Sequence, residues 1–534
     1  MSSEIKDVPI GIKIIQRISD KFFPNRIFNR NLWYRSSVLV LTFLAYTTYH
    51  ASRKPISVVK TILHRNCSGL TPPSYKLILD SNNDTWCDWA PFDGPNATQL
   101  LGTLDSSFLF AYGAAMFMSG LVAERVSLRY FLALGMIFSG IASYLLGIAH
   151  SYGIHSLQYF IIVQIFGGIV QTTGWPGVVA VMGNWFGKGK RGLIFGIWNS
   201  HTSIGNALGT FVAARFASSD WGLSFIVPGV IIATTGFIVF LFLVPNPADV
   251  NCVTPEQNRQ EIRDKTTVNS SYSRLPTDET EDEGTSNKSD SLDDENEEVK
   301  NGKRSNEDRP ILVNDDVPKA VGFFGALKIP GVIEFSLCLF FAKLVSYTFL
   351  YWLPQYITYS TTLSVEHSAD LSTVFDFGGI AGGIAAGMIS DYSGMSATTC
   401  SVMLFVAVPV MFIYNLYGAT NIILNVALLI ISGILVNGPY ALITTAVSAE
   451  LGTHRSLQGN SKALATVTSI IDGTGSIGAA VGPYLAGVVS QWGWGNVFYM
   501  LMLSDVLALL LLVRLVSREI SQWRRSSREQ PWEA

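Results

Sequence analysis

Long apolar stretches recur along the chain in two groups of six. Each is about as long as the ~20 residues that an α-helix needs to cross a lipid bilayer. A polar segment at 246–325 separates the groups, so the pattern predicts an all-α membrane protein with six-helix halves at 36–245 and 326–516. The stretches lie at 36–60, 98–123, 128–149, 156–182, 192–217, 222–244, 331–358, 370–390, 396–416, 421–449, 460–489 and 494–515.

The polar segment at 246–325 is expected to be a disordered linker. It holds two acidic runs, Asp278–Glu283 and Asp293–Glu298, and many Ser, Asn and Asp residues with little apolar periodicity. Such a composition buries too little apolar surface to offset the entropy of ordering the chain. Regulation through serine phosphorylation is a second interpretation of the same segment.

Basic residues orient the predicted helices. Seven Lys or Arg residues lie in 1–35, before the first stretch, and five lie from Arg514 onward, four of them in the tail at 517–534. The loops after the second and fourth stretches are also basic. Since Lys and Arg concentrate on the cytoplasmic side, both termini and the linker are predicted to be cytoplasmic. The N-terminal segment has no short apolar core, so a cleaved signal peptide is not expected.

The long loop at 61–97 is then predicted to face the lumen or the cell exterior. It contains three glycosylation sequons, at Asn66, Asn83 and Asn96, which an enzyme of the secretory pathway could use. Cys67 and Cys87 share the loop and are a candidate disulfide pair in that oxidising compartment. The sequons require entry into the secretory pathway and leave both the endoplasmic reticulum and the plasma membrane open.

Composition excludes several classes of protein. Charged residues make up 14% of the chain and the net charge is −3, so no basic surface for nucleic acid is expected. The chain has no Gly-rich phosphate-binding loop of the ATPase type, no cluster of metal ligands and no nucleophile constellation. It is therefore predicted not to be an enzyme and to need no cofactor, no metal and no obligatory protein partner.

The most informative residue is Arg53, in the second half of the first apolar stretch. A cation at bilayer depth costs on the order of 3 kcal/mol, so it persists where it faces a polar cavity and an anion. The planar guanidinium suits phosphate or carboxylate. Lys54 is interpreted as a lumen-facing neighbour. Tyr46 and Tyr49 share the helical face of Arg53, either as ligand-binding hydroxyls or as packing aromatics.

Several motifs resemble those of a known transporter family. Two loops follow a Gly-x-x-x-acid pattern at matching positions of the two halves, and a Gly-Trp-Pro-Gly sequence lies in the fourth stretch. The chain resembles the major facilitator superfamily, within it the organophosphate:phosphate antiporters, and most closely the animal sugar-phosphate exchangers (solute carrier family 37) of the glucose-6-phosphate type. The resemblance implies twelve helices in two pseudo-symmetric halves around a central site. The segments that carry the resemblance are Ser52–Lys54, Gly120–Arg129, Gly174–Phe186, Arg191–His201, Gly387–Gly394 and Asn437–Tyr440.

Position by position, the resemblance implies that Arg53 binds phosphate. The family places a second cation on the seventh helix, but the matching position here holds Ser346. Lys343, one turn away, could replace that cation, although Lys lacks the forked donors of Arg. Lys462 is a further candidate. The phosphate is then expected to be held asymmetrically, with Arg53 dominant.

Buried acids need partners at bilayer depth. Asp376 matches an acidic position of the family, and a Lys343–Asp376 ion pair is the preferred interpretation, either exchanging with substrate or static. His201 adjoins the position of the family's binding histidine, which aligns with Thr202, and Asn199 or His201 is a candidate for substrate contact. Asp105 and Asp472 are the remaining candidates for charge pairs.

Taken together, the residues and the resemblance predict an antiporter that exchanges a sugar phosphate, expected to be glucose-6-phosphate, for inorganic phosphate by alternating access. The expected location is the endoplasmic reticulum membrane, with the plasma membrane as the alternative. A proton-coupled transporter of glycerol-3-phosphate or a similar organic anion is the second hypothesis, with Asp105, Asp376 or Asp472 as the proton carrier. A receptor or scaffold acting through the acidic linker is the third.

Overall fold

A computed structural model describes residues 8–22, 29–65, 67, 86–186, 197–252, 322–452 and 463–529. The predicted linker lies almost entirely outside these ranges, as do Asn66, Asn83 and Lys462. The longer described helices, numbered α1 to α15, are Ile10–Phe22, Arg30–Arg53, Pro55–Leu63, Ala97–Ala123, Leu128–Ser151, Leu157–Gln171, Gly174–Phe186, Ser200–Ala217, Trp221–Phe242, Val332–Ser360, Val365–Ser393, Ser396–Tyr417, Ile422–Leu442, Ala463–Val489 and Trp494–Glu529. Two short α-helices, left unnumbered, are Phe323–Leu327 and Ser448–Leu451. The described residues contain no β-strand.

The prediction of an all-α membrane protein is confirmed. Nine of the described helical spans are long and apolar enough to cross a bilayer. Together with α2, α8 and α14 they are consistent with the predicted twelve. Polar residues lower the hydropathy of α2 and α8, and several of these residues face the centre of the molecule, as the site below shows. The two halves pack against each other along α4 with α14 and along α8 with α11.

Two predicted spans are interrupted where the sequence weakens a helix. The first span ends as α2 at Arg53 and resumes as α3 at Pro55, because proline lacks the N–H that would continue the backbone ladder. The fourth span is divided into α6 and α7, between Gln171 and Gly174 and shortly before Pro176. Both breaks lie beside Arg53, so they shape the surroundings of its side chain.

Small residues allow the helices to approach closely. A β-carbon on Gly433 of α13 would lie 2.2 Å from the backbone oxygen of Phe375 in α11, and one on Gly378 of α11 would lie 2.3 Å from that of Ile430 in α13. Between the halves, Gly102 of α4 has the Pro483 backbone oxygen 3.0 Å from its ideal β-carbon. Because lipid tails are as apolar as the helix surfaces, the hydrophobic effect contributes little to helix association in a membrane. Close van der Waals packing of the backbones therefore supplies much of the stabilising energy between these helices.

The loop between α3 and α4 is closed by a disulfide. Cys67 and Cys87, the candidate pair, are bonded, with their Cα atoms 5.6 Å apart. Asn96, the one sequon asparagine that the structure describes, is an exposed residue at the start of α4. We call this end of the helices the loop side, and the end that carries α1 and the C-terminal turns of α15 the terminal side.

Candidate functional site

Arg53 is the last residue of α2, and its side chain is buried in the middle of the membrane-spanning helices, with 5% of the residue exposed. Its Nε donates a hydrogen bond to Oε1 of Gln171 at 2.5 Å, and its guanidinium carbon lies 4.7 Å from the ring centre of Tyr112. Nη2 has no hydrogen-bond partner among the described residues. A buried guanidinium donor left unpaired carries a desolvation penalty that an anion would relieve.

The other buried cations at this depth each face a carboxylate. Lys60 pairs with Asp105, and its Nζ also lies 4.2 Å from the ring centre of Trp352. Among the residues that the structure describes, Arg53 is the membrane-depth cation that forms no salt bridge. The other pairs are Lys54–Asp376 at 3.9 Å and Lys343–Asp472 at 2.5 Å.

The predicted Lys343–Asp376 ion pair is wrong. Lys343 lies on the face of α10 that packs along α14, so its Nζ reaches Asp472 and lies 3.3 Å from the hydroxyl of Ser476. Asp376 instead lies near Lys54, whose Nζ also donates to the backbone oxygen of Leu350 at 2.8 Å. The interpretation of Lys54 as a lumen-facing neighbour is therefore also wrong, since its side chain is 2% exposed and connects the two halves.

A small polar cavity lies between the halves. Ser346 donates to Oδ1 of Asn437 at 2.6 Å, and Asn206 donates to Oδ1 of Asp376 at 3.1 Å. Hydroxyls, amides and a carboxylate can bind the hydroxyls of a polyol through both donors and acceptors. The polar side chains that line the cavity include Asn199, Thr202, Asn206, Ser346, Asp376 and Asn437.

Arg53 lines a second, neighbouring small cavity, together with Ser52, Gln171 and Tyr351. Tyr347 lines the central cavity, and its ring centre lies 6.2 Å from that of Tyr351, one turn along α10. These two aromatic rings therefore stand between the two cavities. In this arrangement the cavity beside Arg53 and the central cavity are adjacent but separate.

Tyr112 connects Arg53 to the paired charges of the second half. Its ring lies against the guanidinium of Arg53, and its hydroxyl donates to Oδ2 of Asp472 at 3.4 Å. Asp472 is the partner of Lys343. Arg53 and Lys343 thus lie on opposite sides of a Tyr112–Asp472 bridge. Among the described residues no carboxylate pairs with Arg53, whereas Lys343 is neutralised by Asp472.

The other candidates fall into two groups. Asn199, Ser346 and Asp376 line the central cavity. His201 does not, since its ring is fully buried among aromatic rings, 4.4 Å from Trp198 and 4.7 Å from Tyr46 by ring centres, while the adjacent Thr202 does line it.

Neither predicted tyrosine contacts the central cavity. Tyr49 forms a hydrogen bond with the hydroxyl of Thr173 at 2.9 Å. Tyr46 packs against the rings of Trp175 and His201. These contacts are compatible with packing aromatics, and a ligand-binding role of either hydroxyl stays a prediction.

Sequence reasoning missed Gln171, Tyr112, Asn206 and Lys60 as parts of the site. Gln171 could have been found, because it is a polar residue in an apolar helix, three residues before the Gly-Trp-Pro-Gly motif. Lys60 has a similar signal, because it is a third cation in the first apolar stretch, after Arg53 and Lys54. Tyr112 has no such signal in the sequence, since tyrosines are common in membrane-spanning helices and do not by themselves indicate a site.

Two bundles of apolar helices around a polar cavity, with charges at bilayer depth, define a secondary transporter of the major facilitator fold. Residues 94–461 match the model of the Major Facilitator Superfamily. The chain is similar over 90% of its length to the solved structure of a D-xylose-proton symporter, which it covers to 98%, with a TM-score of 0.54 at 12% identity. That likeness shows the fold alone.

Similar proteins of known class show to which family within this superfamily the chain belongs. The chain is 54% identical to the glucose-6-phosphate exchanger SLC37A2 of Danio rerio, over 97% of each chain. It is 54% identical to SLC37A2 of Homo sapiens, over 94% of this chain and 96% of the relative, and 49% identical to the glucose-6-phosphate exchanger SLC37A1 of Mus musculus, over 96% and 97%. The chain belongs to the Major Facilitator Superfamily and, within it, to the solute carrier 37 family of sugar-phosphate exchangers.

Proposed function

We propose that this chain exchanges glucose-6-phosphate for inorganic phosphate by alternating access, with Arg53 binding the phosphoryl group of either ligand. The observation that carries the proposal is the unpartnered Nη2 of Arg53 at bilayer depth. A phosphoryl oxygen would accept from this donor, and the ligand's negative charge would neutralise the guanidinium. The names of the relatives, glucose-6-phosphate exchangers, support the choice of sugar phosphate.

The sugar is assigned to the central cavity. Its amide and hydroxyl side chains, among them Asn199, Asn206 and Asn437, offer donors and acceptors for sugar hydroxyls. Rotation of Tyr347 and Tyr351 would join this cavity to the space beside Arg53. Inorganic phosphate needs the Arg53 site alone, so both ligands compete there and share one carrier.

Obligatory exchange follows from the charge balance. When the transporter is empty, Arg53 has no carboxylate to compensate it among the described residues, so moving it through the occluded state is costly. Either anion removes this cost. The rocking step is therefore expected to be fast when a ligand is bound and slow when the site is empty.

The proton-coupled hypothesis is less well supported. Its candidate carriers, Asp105, Asp376 and Asp472, each lie beside a lysine, Lys60, Lys54 and Lys343 respectively. Protonation of any of these carboxylates would leave its lysine buried without a counter-charge, and breaking a buried pair in this way is costly in every transport cycle.

Counterflow into proteoliposomes tests the two mechanisms. We expect uptake of radiolabelled phosphate or glucose-6-phosphate to require phosphate or sugar phosphate inside the vesicles. A pH gradient across vesicles without internal phosphate should produce no uptake above that of protein-free vesicles. Uptake driven by the pH gradient alone would contradict the antiport mechanism and support proton coupling. Competition by a panel of sugar phosphates, including glycerol-3-phosphate, identifies the preferred organic ligand.

We also propose that the loop side faces the lumen of the endoplasmic reticulum and that both termini are cytoplasmic. The Cys67–Cys87 disulfide and the exposed Asn96 support an oxidising compartment with access to glycosylation. Glycans sensitive to endoglycosidase H are expected on the expressed chain and should disappear when Asn66, Asn83 and Asn96 are all replaced by Gln. Fully processed, resistant glycans would indicate the plasma membrane instead, and an unglycosylated wild-type chain would contradict the orientation.

A further inference from the structure

Helix α1 exposes an apolar line. Ile10, Ile14, Ile18 and Phe22 follow each other at every fourth residue, and each is at least 50% exposed. Side chains at this spacing form one stripe along a helix. An apolar stripe of this size on a helix outside the membrane-spanning bundle needs a nonpolar partner.

Packing places α1 at the membrane surface on the terminal side. A β-carbon on Gly11 would meet the ring of Phe242 at 2.5 Å, so α1 lies directly on the last turn of α9. Gln16 donates to the hydroxyl of Tyr34, in the second turn of α2, at 2.9 Å. Trp33 beside it is 37% exposed. Because Trp and Tyr collect at the headgroup level, α1 lies at the depth of the bilayer interface.

Basic residues form a second line next to the apolar one. Lys13, Arg17 and Lys21 also recur at every fourth residue, and all three are exposed, with Asp20 as the acidic residue of the helix. An apolar stripe bordered by Lys and Arg is the pattern of helices that lie in the plane of an anionic membrane surface. The basic stems can extend from the apolar level to the lipid phosphates.

We propose that α1 is a docking site for anionic phospholipids on the terminal-side leaflet. Ile10, Ile14, Ile18 and Phe22 insert among the acyl chains, and Lys13, Arg17 and Lys21 bind the headgroup phosphates and carboxylates. Gly11 and Gln16 hold the helix on α9 and α2 in this orientation. The transporter would therefore gather anionic lipid at the cytoplasmic ends of its first and sixth membrane spans.

Depth-dependent fluorescence tests this proposal on the full chain. Ile18→Cys is labelled with an environment-sensitive fluorophore after reconstitution into phosphatidylcholine vesicles that contain phosphatidylserine. The other cysteines in the described residues are buried or disulfide-bonded, which favours labelling at the new site. Acyl-chain quenchers are then carried either on phosphatidylserine or on phosphatidylcholine at equal mole fraction.

We expect quenching from both lipids, with the local fraction of phosphatidylserine raised at least about threefold over its bulk fraction. Replacing Lys13, Arg17 and Lys21 by Gln should remove this excess while quenching by phosphatidylcholine persists. The matched control replaces three exposed arginines of α15, Arg518, Arg524 and Arg525, by Gln and should leave the excess intact. Equal quenching by the two lipids in the unmodified helix, or no quenching by either, would overturn the proposal.

Discussion

Arg53→Ala is expected to abolish exchange of phosphate and of sugar phosphate while the protein still folds. The variant removes the donors that bind the phosphoryl group, and charge-assisted hydrogen bonds contribute about 1.5–3 kcal/mol each. Losing two of them weakens binding by at least about 3 kcal/mol, or about a hundredfold. Folding should not suffer, because the wild-type guanidinium is buried with an unpaired Nη2 and no salt bridge, so its removal also relieves a desolvation cost.

Arg53→Lys separates the geometry of the guanidinium from its charge. Lys keeps the positive charge, but its single nitrogen cannot reproduce the separate donation from Nε to Gln171 and from Nη2 to an anion. We expect exchange to be strongly reduced but measurable, with a raised KM for phosphate.

The matched control for both variants is Arg514→Ala on the terminal side. Arg514 is an arginine of a membrane-spanning helix that is largely exposed and paired with Glu334 at 3.4 Å. Counterflow in proteoliposomes, normalised to the amount of monodisperse protein, provides the measurement. Near-normal exchange by Arg53→Ala would remove Arg53 from the phosphate site and with it the proposed mechanism.

The helices could be predicted from the sequence because the bilayer imposes their length and hydropathy. The predicted span at 128–149 is observed as Leu128–Ser151, and that at 396–416 as Ser396–Tyr417. Arg53 could be singled out for the same reason, since the membrane makes a lone cation costly. Each of these inferences depends on the environment of single helices and not on how the helices face each other.

The ion pairs could not be predicted because they depend on the rotation of facing helices. Lys343 has candidate partners on two neighbouring helices, and the choice of Asp472 over Asp376 follows from which face of α10 meets α14. His201 and Thr202 illustrate the same limit. Neighbouring residues on a helix point about 100° apart, so one of them lies among aromatic rings and the other lines the cavity.

The charges at bilayer depth form an asymmetric system. Among the described residues, three lysines at bilayer depth are neutralised by aspartates, and one of these pairs, Lys54–Asp376, joins the two halves, whereas Arg53 has no carboxylate partner. An exchanger that binds a single phosphoryl group needs one such uncompensated cation. A second free cation would raise the cost of the empty state further, so the pairing of Lys343 with Asp472 is expected to be a structural requirement.

Asp472→Asn is accordingly expected to destabilise the protein strongly. The change leaves Lys343 buried without a counter-charge, and its side chain is only 2% exposed. Breaking a buried pair by removing one partner typically costs about 3–5 kcal/mol. The hydrogen bond from Tyr112 to Asp472 is weakened as well. Thermal unfolding in detergent, followed by size-exclusion fluorescence, should show a clearly lowered midpoint and a reduced yield of monodisperse protein.

Adding Lys343→Met to Asp472→Asn should restore most of the lost stability. The double variant has no uncompensated charge at this position, and replacing a buried ion pair by neutral side chains of similar size is often neutral. Glu334→Gln is the matched control, because it neutralises one partner of the largely exposed pair with Arg514, where the median contribution is about 0–1 kcal/mol.

If the double variant is as unstable as Asp472→Asn, the cost lies in the lost contacts of Asp472 with Tyr112 and not in an unpaired Lys343. A restored double variant with a KM for phosphate within about tenfold of wild type, a change of about 1.4 kcal/mol, would leave Arg53 as the principal phosphate ligand.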